Sequence, residues 1–201
     1  MRTSLRTSQV LATKIYQQLG GEIGRACAGT LVRSSFLAGL ISVENAQLNP
    51  HAYRFEKAVF EKLKKLRNPL VFWRKEWSGV TQADLQGASD VALMNLATSF
   101  GYTQIMGWWS IRLTKLLERP ISVSDIRDPK QHLEIAVRLL NITAHRYLKT
   151  RAYGDVLRIW NTGSPTGRTH DPQYVSNALK VDQEYRRLES LIGGKSPVKE
   201  I

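Results

Sequence analysis

The stretch Ser34-Ser35-Phe36-Leu37-Ala38-Gly39-Leu40-Ile41-Ser42-Val43-Glu44, followed by Asn45-Ala46-Gln47-Leu48-Asn49-Pro50, decides how the chain is read. Leu37, Leu40, Ile41 and Glu44 stand at i, i+3, i+4 and i+7, so a helix here ends its apolar stripe in a carboxyl group. A carboxyl among apolar neighbours has its charged form disfavoured, which raises its pKa and makes it a proton donor near neutral pH. Glu44 is on that ground the candidate catalytic acid. Asn45, Asn49 and Pro50 also end helices, and the same letters fit a frayed last turn in which Glu44 reaches water and does nothing.

Working outward, Val10, Leu11, Ile15 and Leu19 predict a first helix stopping at Gly20-Gly21, and Ile23 to Val32 a second, small-residue helical stretch. Beyond Pro50, Tyr53 and Phe55 alternate with polar positions as in a short strand. Lys57 to Leu66 predicts a helix with Val59, Phe60 and Leu63 inward, ended by Asn68-Pro69. Ser89 or Asp90 can cap a helix carrying Val91, Met94 and Ala97. The glycine-bracketed run Gly101-Tyr102-Thr103-Gln104-Ile105-Met106-Gly107 after it fits a tight turn or short strand near a ligand, and equally a buried hairpin. Asp128-Pro129 reads as a cap and first helical position, and Leu133, Ala136, Val137, Leu140 and Ala144 form a 3.6-residue stripe behind it. Val156 to Trp160 is a short helical piece, Asn161 to Gly167 a loop, and Asp171-Pro172 opens a last helix with Val175, Ala178, Leu179, Tyr185, Leu188 and Ile192 inward.

A chain of 201 residues with 42% hydrophobic residues can bury a real core, which excludes wholesale disorder. Cys27 is the single cysteine, so neither an internal disulfide nor a cysteine-based metal site can form. His51, His132, His145 and His170 lack metal-ligand spacing and read as surface or capping residues. No metal or other cofactor is expected. The net charge of +12 favours an anionic partner such as nucleic acid, an acidic membrane face or a cell-wall polymer. Trp73, Arg74, Lys75 and Trp77 interleave rings and cations as nucleic-acid binders do, and also as buried rings flanked by snorkelling cations do. No stretch approaches the length of a membrane span, and the amino terminus lacks the apolar core of a signal peptide.

Three pieces share one order: the run ending in Glu44 with Asn49-Pro50 behind it, Gly101-Tyr102-Thr103-Gln104-Ile105-Met106-Gly107, and Ile159-Trp160-Asn161-Thr162-Gly163. Together, over roughly Ser34 to Tyr174, they resemble the lytic transglycosylases and related muramidases of the lysozyme-like superfamily, including phage endolysins. The motifs of that family are a Glu-Ser at a helix end, Gly-Leu-Met-Gln, and Ala-Tyr-Asn-x-Gly. Glu44, Gly101, Gln104, Asn161 and Gly163 match residue for residue. The family's serine is Asn45 here, and its Leu-Met is Tyr102-Thr103, so contacts made by those side chains do not carry over.

The resemblance implies a mainly α, lysozyme-like α+β fold: one helical domain with a small β element beside the cleft. Residues 1–33 would form a helical segment packed on a catalytic domain at 34–192, with a tail at 193–201. It implies cleavage of peptidoglycan between N-acetylmuramic acid and N-acetylglucosamine. Glu44 would protonate the leaving oxygen and its carboxylate would then act as base, the muramic acid's own hydroxyl closing an anhydro end. The alternative is a muramidase that uses water and a second carboxylate, for which Glu56, Glu61, Asp84 and Asp90 are open choices. A basic, non-enzymatic nucleic-acid binder is a third possibility. Gln104 and Asn161 would bind sugar amides or hydroxyls, with Gly101 and Gly163 in the same motifs. Tyr102 and Trp160 would stack on sugars, or else lie in the core. Trp108 and Trp109, being adjacent, are expected to point different ways. The partners expected are peptidoglycan strands and not nucleic acid, acted on by a monomer in the wall or periplasm. The chain would be synthesised without a signal peptide and released or co-delivered as phage enzymes are.

Overall fold

Ala12, Ile15, Leu19, Ile23 and Cys27 are buried at helical spacing, and they form one face of a first helix that runs through Gly20-Gly21 instead of stopping there. Tertiary packing outweighs glycine's poor helix propensity at this point. Gly20 lies against Tyr16 and the Tyr185 hydroxyl, and those two rings are 5.4 Å apart. The helix ends only at Cys27, whose carbonyl accepts the Thr30 hydroxyl at 2.9 Å. The expected helical stretch to Val32 therefore stops five residues early. Burial pushes the Cys27 thiol up to about 12, so it is an inert core group.

The computed structural model describes residues 2–70 and 76–193, with side chains from residue 7 onward. Among them the chain is mainly helical with a small antiparallel sheet. The elements are α1 (Arg2–Cys27), α2 (Ser34–Glu44), β1 (Tyr53–Phe55), α3 (Lys57–Arg67), β2 (Glu76–Trp77), β3 (Val80–Thr81), α4 (Asp90–Leu96), β4 (Thr98–Phe100), β5 (Ile105–Met106), α5 (Trp109–Leu117), α6 (Val123–Arg127), α7 (Pro129–Lys149), α8 (Tyr153–Thr162) and α9 (Tyr174–Gly193). No described helix is long and apolar enough to cross a membrane.

Contacts divide the chain into two compact units, Met1–Leu48 with Leu133–Ile201, and Asn49–His132. The division falls at Leu48 and His132, whereas the sequence places a boundary at residue 33 and expects one domain. In the first unit α2 is nearly all core, with Ser35 to Ser42 buried, and it packs on α1 and α9. α9 begins at Tyr174, three residues after the expected Asp171 start, and Ile192 on its expected inner face is half exposed. The α7 stripe Leu133, Ala136, Val137, Leu140 and Ala144 is buried, as its spacing requires, and the helix is kinked at Ala144.

In the second unit β1, β4 and β5 form an antiparallel sheet in that order, with Tyr53 opposite Phe100 and Phe100 opposite Ile105. The glycine-bracketed run is thus a buried hairpin. Leu63, Leu66, Val80, Leu85, Leu93, Leu96 and Trp108 form the core of this unit, on which Val59, Phe60 and Trp77 also pack. Ser89 caps α4 by accepting the Ala92 N–H at 3.1 Å. Trp73, Arg74 and Lys75 of the proposed nucleic-acid patch lie outside the described residues. Trp77 lies edge-on to Trp108 at 5.4 Å, as a core ring does. Trp108 and Trp109 do not diverge: their rings stack at 4.6 Å, because Trp108 precedes the first turn of α5 rather than sitting on a regular element.

Candidate active site

Glu44 is the last residue of α2, and its placement follows from how α2 meets α9. Three contacts run antiparallel along the pair. At the start of α2 the Arg33 guanidinium holds both carboxylate oxygens of Asp182, at 3.1 and 3.0 Å. In the middle a Cβ on Gly39 would stand 2.5 Å from the Ala178 carbonyl oxygen, so only glycine allows this approach. At the end the Tyr174 hydroxyl donates a short hydrogen bond to Glu44 Oε1. Tyr174, Ala178 and Asp182 recur every four residues, so they form one buried face of α9.

Glu44 is partly buried and Tyr174 is 5% exposed. Burial, then the Glu44 charge and the hydrogen bond to it, push the Tyr174 phenol far above its ordinary value, whereas a hydrogen bond from Asn161 acts the other way. The phenol therefore stays neutral and donating. The exposed Asn161, near the end of α8, thereby joins Glu44 through the tyrosine. A carboxylic acid keeps its carbonyl oxygen as an acceptor. Tyr174 can hold Oε1 in either protonation state, so a proton on the neutral carboxyl belongs on Oε2. Trp160 is half-buried on α8, and Gly163 ends that helix in the left-handed region at φ 78°.

Gly101, Tyr102 and Gln104 lie in the second unit, within the β4–β5 turn. Gln104, itself at φ 54°, donates to the Gly101 carbonyl and accepts from Ser99 Oγ, both at 2.9 Å, so its amide closes the hairpin. Tyr102 is 6% exposed, with its ring edge-on to His132 at 6.1 Å. His132 is not the surface or capping residue expected: it is 1% exposed. Its Nε2 accepts the Thr103 N–H at 3.1 Å, so Nδ1 carries the proton and donates to the Ile126 carbonyl at 2.8 Å. Burial, opposed by that backbone bond, lowers its pKa to about 4. A Cβ on Gly101 would reach within 2.5 Å of this ring, which explains the first glycine of the motif without any ligand.

Compared with protein-family models, curated proteins and solved structures, the chain has no match.

Of the open choices for a second carboxylate, Glu56 pairs with Arg54, Asp84 with Lys115 and Asp90 with Arg67 and Lys64, all in the second unit. In the first unit Asp182 is held by Arg33 and Arg186, and Asp155 by Arg158. No group of three or more metal-binding side chains occurs among the described residues. Tyr174 is the partner of Glu44 that the sequence reading passes over. Its signal is the four-residue spacing with Ala178 and Asp182, disguised because a buried aspartate looks like a surface residue in sequence.

Proposed function

We propose that the protein cleaves peptidoglycan glycan strands as a lytic transglycosylase, with Glu44 as acid and then base. The observation that carries this reading is the hydrogen bond from buried Tyr174 to Glu44, backed by Asn161. It gives a carboxyl at the end of an apolar helix a fixed orientation and a neutral donor, which suits a group that must lose and regain a proton. Glu44 Oε2–H protonates the glycosidic oxygen as the bond to C1 breaks. The muramic acid's own hydroxyl then attacks C1, and the Glu44 carboxylate takes up its proton, leaving the acid regenerated and an anhydro end formed. Of the candidate second carboxylates Glu56, Asp84 and Asp90 are ion-paired, which favours this one-carboxylate route over a water-using muramidase.

The test is turbidity loss of purified peptidoglycan with mass spectrometry of the ends. Glu44→Gln should lower the rate by roughly 10²- to 10⁴-fold, the span of a lost general acid. Wild-type products should be lighter by one water than hydrolysed ends. Full activity in Glu44→Gln would sink the assignment, and hydrated ends would replace transglycosylation by hydrolysis.

A further inference from the structure

A groove of about 310 Å³ lies wholly within the second unit, beside β1. Its apolar lining includes Tyr53, Phe55, Met94 and Phe100. Tyr53, Phe55 and Met94 are 76%, 42% and 47% exposed, an unusual concentration of apolar side chains facing solvent. Polar side chains in its lining are His51, Asn95, Thr98 and Arg127. The Arg127 guanidinium stands 5.5 Å over the Phe100 ring and has no carboxylate partner among the described residues. Its acidic neighbours are committed elsewhere. Asp125 accepts from the Ser122 N–H and hydroxyl at 2.7 and 2.8 Å, and Asp128 from Lys130 and Gln131, both at 3.0 Å.

We infer that this groove holds the peptide stem of the wall polymer, with Arg127 binding a stem carboxylate; this rests on the proposed function, which supplies the polymer. Peptidoglycan offers two chemistries, largely uncharged sugar rings and short peptides of alanine methyls and carboxylates. Sugar rings bind by stacking on open aromatic faces. Here Phe55 leans on Phe60 at 5.7 Å and Phe100 carries Arg127, so two of the three rings are already engaged. Small methyls against apolar side chains and a carboxylate on an unpaired guanidinium match what the groove presents.

The experiment is calorimetric titration of the full chain with a synthetic L-alanyl-D-isoglutamyl stem peptide, and in parallel with an uncharged N-acetylglucosamine oligomer. The stem peptide should bind saturably. Arg127→Gln should weaken it at least about tenfold, the loss of one charge-assisted bond. Met94→Glu, an exposed position that puts a like charge against the ligand, should weaken it as well, which guards against a folding defect in the first variant. No saturable binding by wild type, equal affinity in both variants, or binding of the sugar oligomer alone would overturn the inference. The titration does not involve Glu44, so its failure is distinct from failure of the cleavage assay.

Discussion

Tyr174→Phe removes one oxygen from a buried ring and leaves its packing in place, which isolates the hydrogen bond to Glu44. On the proposed function, the unfixed rotamer should lower the rate of peptidoglycan turbidity loss roughly tenfold at neutral pH. Wild-type activity in Tyr174→Phe would show that the tyrosine only packs. His132 makes a separate prediction about stability. Its folded pKa, about 4, lies below the ordinary 6.5. Between those values the unfolded chain takes up a proton that the folded chain refuses, so stability is full above about pH 6.5 and falls as the pH drops toward about 4. The loss over that window should reach roughly 3 kcal/mol. Urea unfolding of wild type and His132→Gln at successive pH values checks it, because the gap between them must narrow in acid. Gly101 and Gln104 were legible as a motif, yet what fixes them is His132, some thirty residues on, and the hairpin's own polar groups. No local pattern announces a histidine buried under a glycine.

At the scale of elements, the α2–α9 pair is what holds Glu44 against Tyr174. Gly39→Ala drives a methyl into the Ala178 carbonyl, a backbone atom that cannot swing aside. It should cost about 1–3 kcal/mol and lower activity together, because α2 must shift along its whole length. Asp182→Ala leaves Arg33 unpaired while its guanidinium still lies 4.0 Å over the Tyr153 ring. That change should cost about 3 kcal/mol, and thermal unfolding of the two variants would show both losses. If Gly39→Ala melts as wild type does, the close approach is not a constraint. The α7 stripe and the α4 cap were readable because the side chains that settle them are local and periodic. The length of α1 is not, since the Tyr185 hydroxyl that Gly20 lies against belongs to a helix more than a hundred and fifty residues later. The inner face of α9 is hard to read from sequence for a related reason: its buried aspartate is paired with an arginine outside that helix.

Over the whole molecule the dominant feature is the net charge of +12, carried by 29 lysines and arginines against 17 aspartates and glutamates. Several of the cations are spent in ion pairs with those acids, yet the excess remains and sets up a positive field at the surface. A wall bearing carboxylates and phosphates is drawn to such a field, and dissolved salt weakens the attraction because the screening length falls to about 8 Å near physiological ionic strength. Cleavage of intact wall should therefore fall several-fold as salt is raised from low concentration to about 0.3 M. The chemical step proposed at Glu44 would be short-ranged, at a partly buried group, so salt should leave it nearly unchanged. Assaying a short soluble oligomer of N-acetylmuramic acid and N-acetylglucosamine beside intact wall over the same salt series separates the two contributions. A salt-sensitive wall reaction with a salt-insensitive oligomer reaction places the charge in recruitment. If both rates fall in parallel, the cations act on the reaction itself or on folding, and recruitment by the overall field is the wrong account.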